Sequence, residues 1–233
     1  MVERHHQIDF ASGALVFPGG KTAPQDHDPA WADHVTGWAE CPEGERALRV
    51  AALREAYEES AVLLARGAGG DWVELDDRTG SAREPVARGE RPFLDLVREI
   101  GGRLDLGALT RFARWITPAM MPKRFDTWFY AAVAPERQLA ESDGWETVDA
   151  EWIAPARAIA LAADGERKII FPTRMNLQLL AESRDAAGAL AAAAARPEVV
   201  VEPKVERRSD GGVLVIPPDA GYGAVEEPLS AVA

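Results

Sequence analysis

Cysteine is nearly absent: Cys41 is the only one among 233 residues. That excludes an internal disulfide framework and a cysteine-rich metal site. Histidine is almost as scarce, and His5, His6, His27 and His34 show no ligand spacing supported by other donors, so they read as surface residues. No apolar run approaches the ~20 residues that span a bilayer. Met1–His6 lacks the apolar stretch of a secretory leader. Basic residues are outnumbered 26 to 38 by acidic ones, a formal net charge of −12. A diffuse coat of that sign disfavours gripping nucleic acid by its phosphates or docking on an anionic membrane. Apolar residues, by contrast, make up 47% of the chain, enough for a sizeable core and too many for disorder. The expectation is a cytoplasmic protein with no nucleic-acid or membrane partner. It should form one domain over 1–216, with a loop inserted at 21–44 and a tail over 217–233 that is a loose end or a homodimer contact.

Helical and strand patterns alternate along the chain. Ile8 to Phe17 reads as extended and stops at Pro18-Gly19-Gly20. Residues 21–44 read as a long loop with one short helix near Trp31–Trp38, and 45–66 as the strongest helix. Leu75 to Gly80 reads as a loop, and Pro92 to Ile100 as a short amphipathic helix. Strands are expected at Phe112–Ile116, Phe125–Val133 and Trp145–Ile153, and a helix at Pro155–Ala163. A long helix over 173–195 and two β-like pieces, Val199–Val205 and Gly212–Ile216, complete the pattern. Helices mixed with aromatic strands imply a mixed α/β or α+β sandwich.

The informative stretch is Arg54-Glu55-Ala56-Tyr57-Glu58-Glu59-Ser60-Ala61-Val62. On a helix, Glu55, Glu58 and Glu59 share one face, while Val50, Leu53, Tyr57, Ala61 and Leu64 form a core stripe opposite. Three carboxylates at such spacing repel one another by ~3 kcal/mol per pair at ~6 Å and an effective dielectric of ~20. Arg54 can pair with Glu58 at i+4. The remaining repulsion needs solvent, protonation or a cation, and hard oxygen donors suit Mg²⁺ or Mn²⁺ better than zinc. Upstream, Phe17-Pro18-Gly19-Gly20-Lys21 offers backbone that can approach a ligand and a lysine for a phosphate oxygen.

Together the two pieces resemble the signature of the Nudix hydrolases: a glycine, a glutamate six residues on, a short spacer, then Arg-Glu-apolar-x-Glu-Glu-x-Gly-apolar. Three departures stand out. The spacer from Gly20 to Arg54 is about twenty residues too long, which leaves the upstream glutamate to be sought among Glu40, Glu43 and Glu45. Ala61 replaces the last glycine, and a helix tolerates alanine, so the helix is expected to continue there. Only about ten residues precede the strand leading to Gly20, so either strands are missing or another segment, such as the β-like tail, fills that part of the sheet. The long spacer, with Trp115–Pro118, Arg124–Phe129, Glu151–Ile159 and Ile170–Thr173, is similar to the coenzyme A diphosphatases that carry an inserted segment in the box.

The resemblance implies a Nudix-type α/β/α sandwich with a mixed sheet. It also implies divalent-metal-dependent hydrolysis of the pyrophosphate bond of a nucleoside diphosphate derivative. Coenzyme A or an acyl-coenzyme A comes first as substrate, ADP-ribose or a dinucleotide next. By the same resemblance Glu55 and Glu59 ligate Mg²⁺ or Mn²⁺, Glu58 is a third ligand or the base, and the Gly20 carbonyl completes the shell. Arg54 would hold Glu58 or Glu59, and Glu146 is a second candidate base or ligand. Lys21, Lys123, Arg124 and Arg174 are the cations expected near the substrate phosphates. Asp126, among aromatics on a strand, is expected to pair with Arg124 or Arg174. The alternatives are a Nudix-fold module that binds a nucleotide without hydrolysing it, and an unrelated protein whose acidic helix is only a surface.

Overall fold

The computed structural model describes residues 1–7, 11–208, 211–223 and 225–229. The Ile8–Phe10 part of the first expected strand lies outside the described residues. The chain divides into two compact units, Met1–Leu109 with Ala132–Ile153, and Thr110–Ala131 with Ala154–Ala233.

The strands are β1 (Val2–Arg4), β2 (Leu15–Val16), β3 (Val35–Thr36), β4 (Ala65–Arg66), β5 (Arg103–Asp105), β6 (Thr110–Ile116), β7 (Asp126–Ala131), β8 (Thr147–Ala150), β9 (Val200–Val201), β10 (Lys204–Arg208), β11 (Gly211–Val215) and β12 (Glu226–Pro228). The helices are α1 (Glu43–Ser60), α2 (Asp77–Ala87), α3 (Phe93–Glu99), α4 (Pro155–Ala163), α5 (Phe171–Ala181) and α6 (Ala186–Ala195). Parallel pairs, β3 with β5 and β6 with β9, occur beside antiparallel ones, so the expected α/β class with mixed pairing is what the chain forms.

In the first unit the sheets are β2-β1-β8 and β3-β5-β4. β1 lies between β2 and β8, Val2 opposite Val16 on one side and Ala150 on the other. The short N-terminal run thus supplies a strand, β1, ahead of the one leading to Gly20, and among the described residues the β-like tail pairs in other sheets. The core sits under α1. Tyr57 stacks on Phe93 with ring centroids 5.6 Å apart, and Trp31 tilts against Phe93 at 5.9 Å. Trp31 comes from the inserted loop, which holds two 3₁₀ turns, Pro24–His27 and Pro29–Asp33, and packs on Phe93 of α3.

α1 does not continue through Ala61. It ends at Ser60, and Ala61 is left-handed with φ 59°, its N–H donating to the Tyr57 carbonyl at 3.0 Å. The backbone makes the turn that the signature assigns to glycine, and alanine bears the cost of its Cβ in that region. The stretch read as a loop at 75–80 instead starts α2. Asp76 accepts from the Arg78 and Thr79 N–H groups while the Thr79 hydroxyl accepts from Asp76, a reciprocal cap that outweighs Gly80 and Pro85.

In the second unit the sheets are β7-β6-β9 and β10-β11-β12. Trp115, Phe171, Met175, Val201, Leu214 and Ile216 form its core. The helix expected over 173–195 is two: Asp185 caps a fresh start at α6 by accepting from the Gly188 N–H at 2.7 Å. Within the tail after Pro217, Glu226–Pro228 pairs with β11, and Tyr222 donates to Asn176 Oδ1 at 2.6 Å.

Candidate active site

Gly20, Arg54, Glu55, Glu58, Glu59 and Glu146 all fall in the first unit. Both faces of α1 are buried near its C-terminal end, so the three glutamates are not a solvated surface: Glu55, Glu58 and Glu59 retain 9%, 7% and 2% exposure. Their stabilisation starts with Arg54. Its Nη1 donates to Glu55 Oε1 at 2.9 Å and to Glu58 Oε2 at 2.8 Å. Its Nε and Nη2 each donate at 3.0 Å to the two oxygens of Asp26, and Nη2 also donates to the Lys21 carbonyl at 2.9 Å. Burial opposes the guanidinium charge, but the Asp26 bonds and the charges of Glu55 and Glu58 more than offset it.

Asp26 is the residue that sequence reasoning missed. It stands six residues after Gly20, where the signature has glutamate, well before Glu40, Glu43 and Glu45. The extra residues therefore lie after Asp26, between it and α1. Glu45 is engaged elsewhere, accepting from Arg49 at 3.1 Å. The overlooked signal was spacing, with one methylene less in the carboxylate.

Glu59 does not contact Arg54; its Oε2 accepts from the Gly19 N–H at 2.8 Å. Gly20 follows, and a Cβ there would run into the Glu55 carboxylate. Glycine is required for that approach. Burial is the chief cause pushing all three carboxyls up. Glu55 is raised despite Arg54. Glu58 is raised to about 7, with Arg54 opposing and Glu55 adding repulsion. Glu59 is raised to about 8, with the Gly19 N–H opposing and the charges of Glu55 and Glu146 adding to it. Glu146 itself is exposed.

The expected phosphate cations are differently placed. Lys21 is exposed beside the Gly-Gly turn. Lys123, Arg124 and Arg174 belong to the second unit. There Lys123 lies 5.7 Å from the Phe125 ring centroid, Arg124 donates to the Thr117 carbonyl and to Glu202, and Arg174 donates to Glu227 at 2.5 Å. Asp126 pairs with neither Arg124 nor Arg174 but with Arg114, its cross-strand neighbour region on β6.

A buried arginine bridges two helix glutamates, a third glutamate takes the Gly19 N–H, and Asp26 stands at the spacing from Gly20 that the Nudix signature gives its upstream glutamate. A family model described as the NUDT19 Nudix domain matches residues 39–178. The chain belongs to the NUDT19 Nudix family. The matched span holds α1 and Glu146, whereas Gly20 and Asp26 lie before it. The acyl-coenzyme A diphosphatase NUDT19 of Homo sapiens is 32% identical over 200 residues, covering 68% of this chain and 53% of that protein. Its Xenopus laevis counterpart is 23% identical over 201 residues with the same coverage. The chain spans about half the length of these curated relatives. Among solved structures, a NUDIX hydrolase from Alicyclobacillus acidocaldarius superposes with a TM-score of 0.68 at 27% identity, over 82% of this chain and 86% of that one. The α/β architecture is thus the Nudix fold. No helix among the described residues is long and apolar enough to cross a membrane.

Proposed function

We propose that the chain is a metal-dependent pyrophosphohydrolase acting on a nucleoside diphosphate derivative, with coenzyme A or an acyl-coenzyme A as the first candidate substrate. The carrying observation is the burial of Glu55, Glu58 and Glu59 at the C-terminal end of α1, with Arg54 bridging the first two. Buried carboxylates in excess of their counter-charges are costly, and a catalyst that must gather phosphate oxygens has a use for them. The substrate class is supported by the names of the NUDT19 relatives alone.

A divalent cation fits the donor set by chemistry. The oxygens are hard, close-packed and short of positive charge, and the Gly20 backbone meets Glu55 where a side chain would block it. Among the described residues no three His, Cys, Asp or Glu side chains are already arranged as a ligand set, so the fit is one of donor type. Glu55 and Glu59 would hold Mg²⁺ or Mn²⁺, with Glu58 and the Gly20 carbonyl as further donors. Bound there, the ion would neutralise phosphate charge and lower the pKa of water.

The chain's own groups do the rest. Arg54 keeps Glu55 and Glu58 from turning away and is itself braced by Asp26. The Gly19 N–H orients Glu59. Glu58 or Glu146 takes the proton of the attacking water, and Lys21 meets a phosphate oxygen. Release of phosphate products from coenzyme A, acyl-coenzyme A, ADP-ribose, NADH and sugar nucleotides, with Mg²⁺ and with Mn²⁺, tests the reading. Turnover that requires metal and vanishes in Glu58→Gln/Glu59→Gln is expected. A folded protein that binds these nucleotides without hydrolysing them would instead be a binding module.

A further inference from the structure

The segment that carries Glu146 is pinned to the end of the acidic helix at both of its ends. On one side the Glu141 N–H donates to the Ser60 carbonyl at 3.1 Å. Arg83 of α2 ties the same place: Nε donates to the Glu58 and Tyr57 carbonyls at 2.8 and 3.1 Å, and Nη1 and Nη2 donate to the Ser142 and Glu141 carbonyls at 3.2 and 2.7 Å. On the other side the Thr147 hydroxyl, fully buried, lies 3.3 Å from the Glu59 carbonyl, and the His5 N–H donates to the Glu146 carbonyl at 2.8 Å.

Between these anchors the backbone turns at Gly144, φ 72°, and its donors converge on one atom. Asp143 Oδ1 accepts from the N–H groups of Trp145, Glu146 and Thr147 at 2.8, 3.0 and 2.8 Å, and lies 3.0 Å from the Thr147 hydroxyl. The backbone on both sides of Glu146 is therefore fixed by a single carboxylate. The charge of Glu146 is felt by both Glu55 and Glu59.

We infer that Asp143 is a positioning residue for Glu146: it fixes the turn that carries Glu146 beside the C-terminal end of α1, and takes no direct part in the reaction. The inference rests on the hydrolase reading above. A turn of this kind matters because misplacing a reacting group by an ångström costs about 100-fold in rate.

The test is a double-mutant cycle in turnover with Mg²⁺, on the best substrate of the panel. Asp143→Ala is expected to lower kcat by roughly 10- to 100-fold with little change in KM. Asp143→Asn keeps an acceptor oxygen in place and should recover most of that loss. In a Glu146→Gln background Asp143→Ala should cost nothing more, because a residue that acts only through Glu146 has nothing left to position. An undiminished loss in the double variant, or an Asp143→Ala enzyme as fast as wild type, would overturn the inference. Amide exchange on the metal-free protein gives a second readout: Asp143→Ala should speed exchange at Trp145–Thr147 alone, and loss of protection throughout the first unit would mark a folding role instead. A wild-type protein silent on every substrate would sink the hydrolase reading itself, a result distinct from an active enzyme whose variants show the wrong pattern.

Discussion

Arg54 grips Asp26 in the first unit and Arg114 grips Asp126 in the second, each through Nε and Nη2 onto both carboxylate oxygens. The geometry is nearly the same, 3.0 and 3.0 Å against 2.9 and 2.6 Å. The surroundings are not. The side chains of the first pair are 6% and 0% exposed, those of the second 35% and 45%. In water such a pair holds its charges at little cost and contributes little. Out of water each charge must be matched or it costs several kcal/mol. The first unit keeps five ionisable groups together in that condition, Asp26, Arg54, Glu55, Glu58 and Glu59, while the second unit's core is built from Trp115, Phe171 and aliphatic side chains. Identical pairings thus carry different information: burial, not hydrogen bonding, separates chemistry from surface decoration.

Glu59→Gln should break the contrast most visibly. The amide can still accept from the Gly19 N–H, yet turnover should fall on the order of 100-fold or more through loss of the charge. The same change should stabilise the metal-free protein at alkaline pH. The Glu59 carboxyl is raised from 4.5 to about 8, so its folded-state contribution is complete below pH 4.5 and is lost as pH rises through about 8. Melting in the presence of a chelator should therefore fall from pH 5 to pH 9, less steeply in Glu59→Gln, and Mn²⁺ should flatten the wild-type curve. A wild type that melts higher at pH 9 than at pH 5 without metal would remove the buried-carboxylate argument.

Asp26→Ala comes next. It leaves the Arg54 guanidinium buried with Glu55 and Glu58 but without its bidentate partner, at an expected cost of about 3 kcal/mol by urea unfolding. Asp26→Glu, the signature's own residue, should restore most of it. A smaller and opposite effect is expected at Ala61. Its φ of 59° suits glycine, and Ala61→Gly should raise stability by about 1 kcal/mol.

These residues also mark what the sequence could and could not disclose. The Arg54–Glu59 cluster was readable because helical spacing alone places carboxylates at i, i+3 and i+4 on one face. Its burial was not, since the inserted loop that covers it carries no periodicity. Asp26 was hidden because the signature has glutamate at that place, although its distance from Gly20 matched. The turn at Ala61 was hidden because alanine favours helix, and the chain geometry overrode the propensity. α2 was hidden because glycine, aspartate and proline read as loop until Asp76 and Thr79 are seen as a cap. Lys123, Arg124 and Arg174 were readable as cations, but not the partners of the two arginines: Arg124 faces Glu202 and Arg174 faces Glu227.

The smallest effect sharpens the comparison from the other side. Asp126→Ala removes a carboxylate bonded as well as Asp26 is, and Arg114 holds it well below the usual carboxylate range. If bond geometry set the energy, the cost would equal that of Asp26→Ala. Because both partners stand in solvent and Arg114 also lies 4.6 Å from the Trp128 ring centroid, the freed guanidinium keeps water and an aromatic face. The expected loss is under about 1 kcal/mol, and it should shrink further in high salt. Urea unfolding of the two alanine variants side by side at low and high ionic strength decides it: equal losses would mean that the exposed pair carries load after all, and that burial is the wrong criterion for finding the site.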